Sequence, residues 1–202
     1  EEAFAGSSIQ AVSLSDKTKR IGARAFKECK SLYNIYICGV EEIAEEAFAY
    51  CPMNDNLVYS DKLTQYADNA FDGCTELDIK PTLTSWFTYE KTADGYAITG
   101  FSDAYTGEPN ILIPDSVNGM PVTDIAENAF EGNATIQKLK IRYNSYHVRV
   151  GNRAFDGSTS LKVVDLHVYE IGEGAFYDCN SLEQSNVFTI MNIDREAFGD
   201  CD

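Results

Sequence analysis

Residues 25–48 read AFKECKSLYNIYICGVEEIAEEAF, a stretch that opens and closes on the same Ala-Phe pair. The pair recurs along the chain at Ala3-Phe4, Ala25-Phe26, Ala47-Phe48, Ala70-Phe71, Ala129-Phe130, Ala154-Phe155, Ala175-Phe176 and Ala197-Phe198. Successive alanines are 22, 22, 23, 59, 25, 21 and 22 residues apart. A near-constant period in this range marks a stacked repeat.

The flanks repeat with the pair. Three residues after the Phe stand Cys29, Cys51, Cys74, Cys179 and Cys201, with Ser7, Asn133 and Ser158 in the other copies. An apolar residue follows at Leu32, Leu77, Leu161 and Leu182, and then alternating positions such as Ile35 and Ile37, Leu57 and Tyr59, Leu139 and Ile141, Val164 and Leu166. Four residues before the Ala lie Ile21, Ile43, Tyr66, Ile125, Val150, Ile171 and Ile193. A small residue comes next at Gly22, Ala44, Ala67, Ala126, Gly151 and Gly172, with Asp194 the exception.

Each part has a physical reading. The alternating pair is a short strand with one side inward and one in solvent. The Ala-Phe segment is a single helical turn or tight bend, too short to stand alone; its Phe fills the core and its Ala admits close neighbours. One repeat cannot bury its own apolar face, but coils stacked at the strand spacing of about 4.8 Å bury it continuously. The expected fold is therefore a repeat solenoid, mostly β and irregular.

These residues resemble the BspA-like, or Treponema pallidum-type, leucine-rich repeat. The match is close at Cys29, Leu32, Ile35, Ile37, Val40, Ile43, Ala47 and Phe48, and again at Leu161, Val164, Leu166, Val168, Ile171, Gly172, Ala175 and Phe176. Where that family usually has Pro after the strand, Cys38 and His167 stand instead. The resemblance implies a leucine-rich-repeat-like right-handed β/α superhelix with short strands. It further implies a secreted or cell-surface protein of adhesin type, whose partner is a host extracellular-matrix or cell-surface protein.

The 59-residue step interrupts the period. Aromatic-rich alternation on either side of Asp94-Gly95 reads as a β-hairpin. Ile111, Ile113-Pro114, Val117, Asn118-Gly119 and Met120-Pro121-Val122 read as a second turn-rich strand pair. The expected organisation is a repeat block over 1–80, a hairpin insert over 81–123 and a second repeat block over 124–202. The insert either caps and joins the stacks, whose ends expose core and strand edges, or protrudes as a recognition loop. Both ends of the sequence fall inside a repeat, so a piece of a longer protein is expected.

Composition removes some function classes. The 202 residues carry 32 acidic and 16 basic side chains, a formal charge of −16. That balance opposes nucleic-acid binding and docking on anionic lipid. No apolar run reaches the roughly 20 residues of a membrane helix. The first residues lack a secretory signal's basic and apolar regions, though such a segment could have been removed. No Asp-rich loop has calcium-ligand spacing. Five of the six cysteines share one repeat position, so their side chains run parallel and do not converge as a disulfide requires. They read as buried free thiols acting as small hydrophobes, and neither Cys-x-x-Cys nor a His pair suggests zinc. His147 and His167 have no nucleophile motif around them and read as surface residues, with His167 where a strand ends. Asn133-Ala134-Thr135 is a formal glycosylation sequon at an inward position, and reads as chance. No cofactor and no catalytic residue is expected.

Two surfaces remain as candidates. Lys138, Lys140, Arg142, Arg149, Arg153 and Lys162 lie in a stretch whose one acid is Asp156. Lys138, Lys140 and Arg142 alternate with Leu139 and Ile141 and so share the outward side of one strand. This is either a solvated strand face or a patch for an anionic partner. Elsewhere the outward row includes Asn34, Tyr36, Val58, Val163 and Asp165. A solenoid strand face is shallow and extended and suits proteins or polymers better than enclosed small molecules. Tyr36, Val58, Lys138, Lys140, Arg142 and Asp165 are thus the expected partner-binding residues of a monomeric protein-binding module. The alternatives are a structural stalk presenting another domain, or a non-catalytic accessory region of a surface enzyme.

Overall fold

The computed structural model describes residues 1–54, 57–143 and 146–201, with residues 189 and 190 by their backbone alone. The chain divides into two compact units, Glu1–Leu83 and Thr84–Asp202. Each is a repeat solenoid, as the period requires.

In the first unit three successive coils each contribute two short strands. These are β1 (Ala11–Ser13) and β2 (Arg20–Ile21), β3 (Asn34–Tyr36) and β4 (Glu42–Ile43), β5 (Leu57–Val58) and β6 (Gln65–Tyr66). They stack into two parallel three-stranded sheets, β1-β3-β5 and β2-β4-β6. Val12, Ile35 and Leu57 lie in register and point inward, and so do Ile21 and Ile43. Ser13, Tyr36 and Val58 form the outward row of one sheet, and Arg20, Glu42 and Gln65 that of the other.

The second unit opens with a 3-10 turn (Thr84–Trp86) and an antiparallel hairpin, β7 (Phe87–Lys91) with β8 (Tyr96–Phe101). The hairpin turns at Asp94-Gly95, where Thr92 N–H donates to the Gly95 carbonyl at 2.9 Å. Then come β9 (Asn110–Leu112), β10 (Ser116–Val117) paired antiparallel with β11 (Met120–Ile125), β12 (Lys138–Ile141), β13 (Arg149–Val150), β14 (Val163–Ile171) and β15 (Gln184–Ile193). They form one nine-stranded sheet, ordered β7-β8-β11-β13-β14-β12-β9, with β15 also on β14. The hairpin is a member of this sheet, because β8 pairs in parallel with β11. Phe87 and Phe101 cover Phe130, the first Phe of this unit's stack, with ring centroids 6.3 and 4.8 Å away.

The Ala-Phe segment is a tight turn and not a helical one. Its backbone alternates partners. Arg24, Phe26 and Glu28 donate to Glu45, Ala47 and Ala49 of the next coil, while Ala25, Lys27 and Cys29 donate within their own coil to Gly22, Arg24 and Phe26. The alternation needs left-handed backbone. The residue two past the Phe has φ between +50° and +69° in every copy: Gly6, Glu28, Tyr50, Gly73, Gly132, Gly157, Asp178 and Asp200. Within each unit the arrangement brings each Phe ring against the next at 4.9–5.7 Å between centroids. The small position before the turn is equally constrained. A Cβ on Gly151 would sit 2.7 Å from the Glu127 nitrogen of the preceding coil.

The cysteine column is free of disulfides, and its thiols do more than fill space. Each donates to the carbonyl of the Phe one coil earlier: Cys29 to Phe4 at 3.0 Å, Cys51 to Phe26 at 2.9 Å, Cys74 to Phe48 at 3.1 Å, Cys179 to Phe155 at 3.3 Å and Cys201 to Phe176 at 3.0 Å. Ser158 does the same to Phe130 at 3.1 Å, which explains why Ser and Cys interchange there. Asn133 closes its own turn, its Oδ1 accepting from Thr135 N–H and Ile136 N–H. Burial pushes the Cys51 and Cys179 thiols up to about 12, so they stay protonated and remain donors.

Two outcomes follow for stability. Cys179→Ser keeps the donor and should stay within about 1 kcal/mol of the parent in urea unfolding, whereas Cys179→Val, which removes it, should lose about 1–3 kcal/mol. A larger loss for Ser than for Val would show that the column is only apolar packing. Glu28→Gly should raise stability by about 0.5–1 kcal/mol, because a left-handed non-glycine residue costs about 1–2 kcal/mol and the added chain entropy of Gly returns part of the gain.

Candidate functional site

A solenoid coil is held by its inward residues, so recognition has to come from the outward rows. In the first unit, the row Ser13, Tyr36, Val58 and its neighbours Ala11 and Asn34 carry no charge. Tyr36 is 48% exposed. This gap in a chain of charge −16 is where the two uncharged candidates, Tyr36 and Val58, sit.

The four charged candidates lie in the second unit, on β12, β14 and the residue after β12. Strand register sets Lys138 beside Val163 and Lys140 beside Asp165. Lys140 Nζ lies 3.4 Å from Asp165 Oδ2, with side chains only 14% and 25% exposed. Arg142 meets Asp115 at 3.4 Å. Arg149 grips Asp124 with two nitrogens, at 2.7 and 3.2 Å, and this carboxylate holds the guanidinium above its usual range. Arg153 lies 3.8 Å from Asp156. The run of bases therefore does not form a bare positive patch. Asp115, Asp124 and Asp165 lie outside the stretch in sequence, but the neighbouring coils bring them against it. The first unit follows the same rule: Arg24 pairs with Glu2 at 2.6 Å, Lys19 with Glu41 at 2.7 Å and Lys27 with Glu46 at 2.7 Å.

Beyond the Lys140–Asp165 row, the same face of the second unit turns aromatic. β14 does not stop at His167 but runs through it to Ile171, since His167-Val168-Tyr169 continues the alternation. His167 stacks on Phe188 of β15 at 4.6 Å and 12°, and the Tyr143 ring meets His167 edge-on at 6.3 Å. His147 lies 5.2 Å from Tyr169. Tyr143 is 77% exposed, Phe188 58% and Met191 65%. Neither histidine is therefore an isolated surface residue. The sequence held a signal for this column, because Tyr143, His167 and Phe188 stand about one repeat apart.

Among the described residues no group of three or more His, Cys, Asp or Glu is placed to hold a metal ion, and no helix is long and apolar enough to cross a membrane.

The family described as BspA type leucine rich repeat region matches residues 1–88 and 105–202, in six copies. The intervening residues include β8 and most of the hairpin. Among solved structures, the chain is similar to the leucine rich repeat protein of T. pallidum, at 26% identity and a TM-score of 0.51, over 60% of this chain and 68% of that one. It is also similar to a leucine rich cell surface protein from Faecalibacterium prausnitzii, at 23% identity and a TM-score of 0.41, over 96% of this chain and 52% of that one. A leucine-rich repeat protein from Bacteroides ovatus matches at 22% identity and a TM-score of 0.42, over 100% of this chain and 61% of that one. The chain thus spans little more than half of the Faecalibacterium protein. No curated protein matches it.

The pairing of the charged candidates is open to a direct check. Lys140→Glu would set two partly buried carboxylates together and should cost about 1–2 kcal/mol in urea unfolding. Lys162→Glu, on an exposed residue, should change stability by less than about 0.5 kcal/mol. Equal effects at both positions would mean that the Lys140–Asp165 contact contributes nothing.

Proposed function

The chain belongs to the BspA-type leucine-rich repeat family, and on that premise we propose that it is a protein-binding module displayed outside the cell, with no catalytic role of its own. The observation that carries this reading is the exposed aromatic column of the second unit, Tyr143, His167 and Phe188. Aromatic side chains and Met are enriched in protein interfaces, and a few such anchors dominate binding energy. A monomeric soluble protein rarely leaves a cluster of this kind in water without use.

The charged candidates take a different part in this reading. Lys140–Asp165 and Arg142–Asp115 form a fixed polar rim beside the rings, where charges adjust specificity and association rate more than affinity. Tyr36 and Val58 offer a second, uncharged contact row on the first unit. Display outside the cell follows from the family resemblance. The thiol column is compatible with an oxidising setting, because Cys29, Cys51, Cys74 and Cys179 are buried away from oxidants. The partner class that fits is an extracellular-matrix or cell-surface protein.

The test is a binding screen of the chain against immobilised matrix and cell-surface proteins, repeated with Tyr143→Ser/Phe188→Ser and with Tyr36→Ser. Loss of the aromatic pair should weaken capture by about tenfold or more, the effect of removing an interface anchor. If a partner binds the double variant as well as the parent, the aromatic face is not the site. If no matrix or surface protein binds, the module reading fails and a stalk that presents a neighbouring domain takes its place.

A further inference from the structure

The first unit holds a concavity that neither the protein-binding face nor the packing uses. It is an open groove of about 450 Å³ at the corner between the β2-β4-β6 sheet and the Ala-Phe turns. Its lining includes Arg20, Glu42 and Gln65, which strand register sets in one outward row. Glu45 also lines it, and Ala44, Ala67 and the half-buried Tyr66 supply apolar surface. The groove is low there because the small position of each coil carries no side chain long enough to fill it.

We propose that this groove binds a neutral oligosaccharide, laid along the coil axis with one sugar residue against each coil. Four properties select that ligand class. The row offers a guanidinium, a carboxylate and an amide in succession, planar groups with paired polar atoms that match neighbouring hydroxyls. Apolar surface between them suits the C–H face of a sugar ring. The charge fits a neutral chain: Arg20 is paired with Glu42 at 3.3 Å, Glu45 adds a further acid, and the chain carries −16 overall. Sulfated, uronic or nucleic-acid polymers are repelled. Spacing separates sugar from peptide. Rows repeat at the strand spacing of about 4.8 Å, whereas same-side residues of an extended peptide repeat at about 6.8 Å and fall out of step within two coils. The rise of one hexose in an extended glycan is close to one strand spacing.

The experiment is a backbone amide NMR titration of the full chain with cellohexaose, maltohexaose and chitohexaose, and with hexagalacturonate as the anionic control. At least one neutral hexamer should shift the amides of Glu42, Ala44, Gln65 and Ala67, with a dissociation constant of about 1 mM or tighter. Gln65→Ala and Glu42→Ala should each weaken it about fivefold, the value of one lost hydrogen bond. Ala44→Gln, which puts a longer side chain into the groove from a half-buried position, should abolish it, with dispersed spectra confirming the fold of each variant. The proposal is overturned if no neutral hexamer shifts these amides at about 10 mM, well above that affinity. It is also overturned if the shifts map to the Tyr143–Phe188 face, if hexagalacturonate binds as tightly, or if Ala44→Gln leaves binding unchanged. The protein-binding reading is separate, since it rests on Tyr143 and Phe188 and neither is altered here.

Discussion

Within each unit a coil must bring its Phe ring into contact with the Phe of the next, and the backbone around the Ala-Phe pair is bent to allow it. Centroids 4.9–5.7 Å apart require coils at nearly the strand spacing. The features of the Ala-Phe turn follow from that distance. The turn alternates hydrogen bonds between its own coil and the next, and holds its residues left-handed to do so. Gly151 has no room for a Cβ. The thiol or hydroxyl of the column position reaches the carbonyl of the Phe one coil earlier, tying the turn to the same stack. The ring stack, the turn ladder and the side-chain column thus satisfy one another, which is how a chain with so little regular strand holds a fixed shape.

The same spacing governs the surface. Residues about one repeat apart in sequence become neighbours, so charge is read mainly between coils. Lys140 with Asp165, Arg149 with Asp124 and Arg24 with Glu2 are all such pairs. Individually an exposed pair contributes about 0–1 kcal/mol. Their more useful effect is on register, since a coil slipped by one residue would lose its partners. Rows without such pairs, Ser13-Tyr36-Val58 and the rings around His167, are left open to outside contact.

Much of this was legible in the sequence. The period, the inward apolar positions, the hairpin at Asp94-Gly95 and the Asn118-Gly119 turn all follow from side-chain alternation and turn chemistry. The free cysteines followed from their shared position, but their role as donors did not, because Cys and Ser look interchangeable for either role until the Phe carbonyl is in place. The left-handed turn was half visible: Gly6, Gly73, Gly132 and Gly157 fall at one repeat position, while Glu28, Tyr50, Asp178 and Asp200 mask it. The candidate site was the least legible. Lys140 and Asp165 both read as outward, but a charge run along the chain does not contain Asp115, Asp124 and Asp165, which only the stacking of coils brings against it. His167 stands where the family has a strand-ending Pro, but histidine keeps the backbone N–H that continues the ladder.

A fixed pitch also decides what kinds of ligand the two surfaces can accept. Along a row, one contact is offered per coil at about 4.8 Å, and only a polymer with a matching repeat can use several in register. A folded protein has no such repeat, but large apolar rings such as Tyr143, His167 and Phe188 need no register to bury area against it. The groove beside Arg20, Glu42 and Gln65 presents directional polar groups, whereas the column at Tyr143, His167 and Phe188 presents rings. Their different chemistry is the physical reason for assigning them different partners, although both are built on the same repeat.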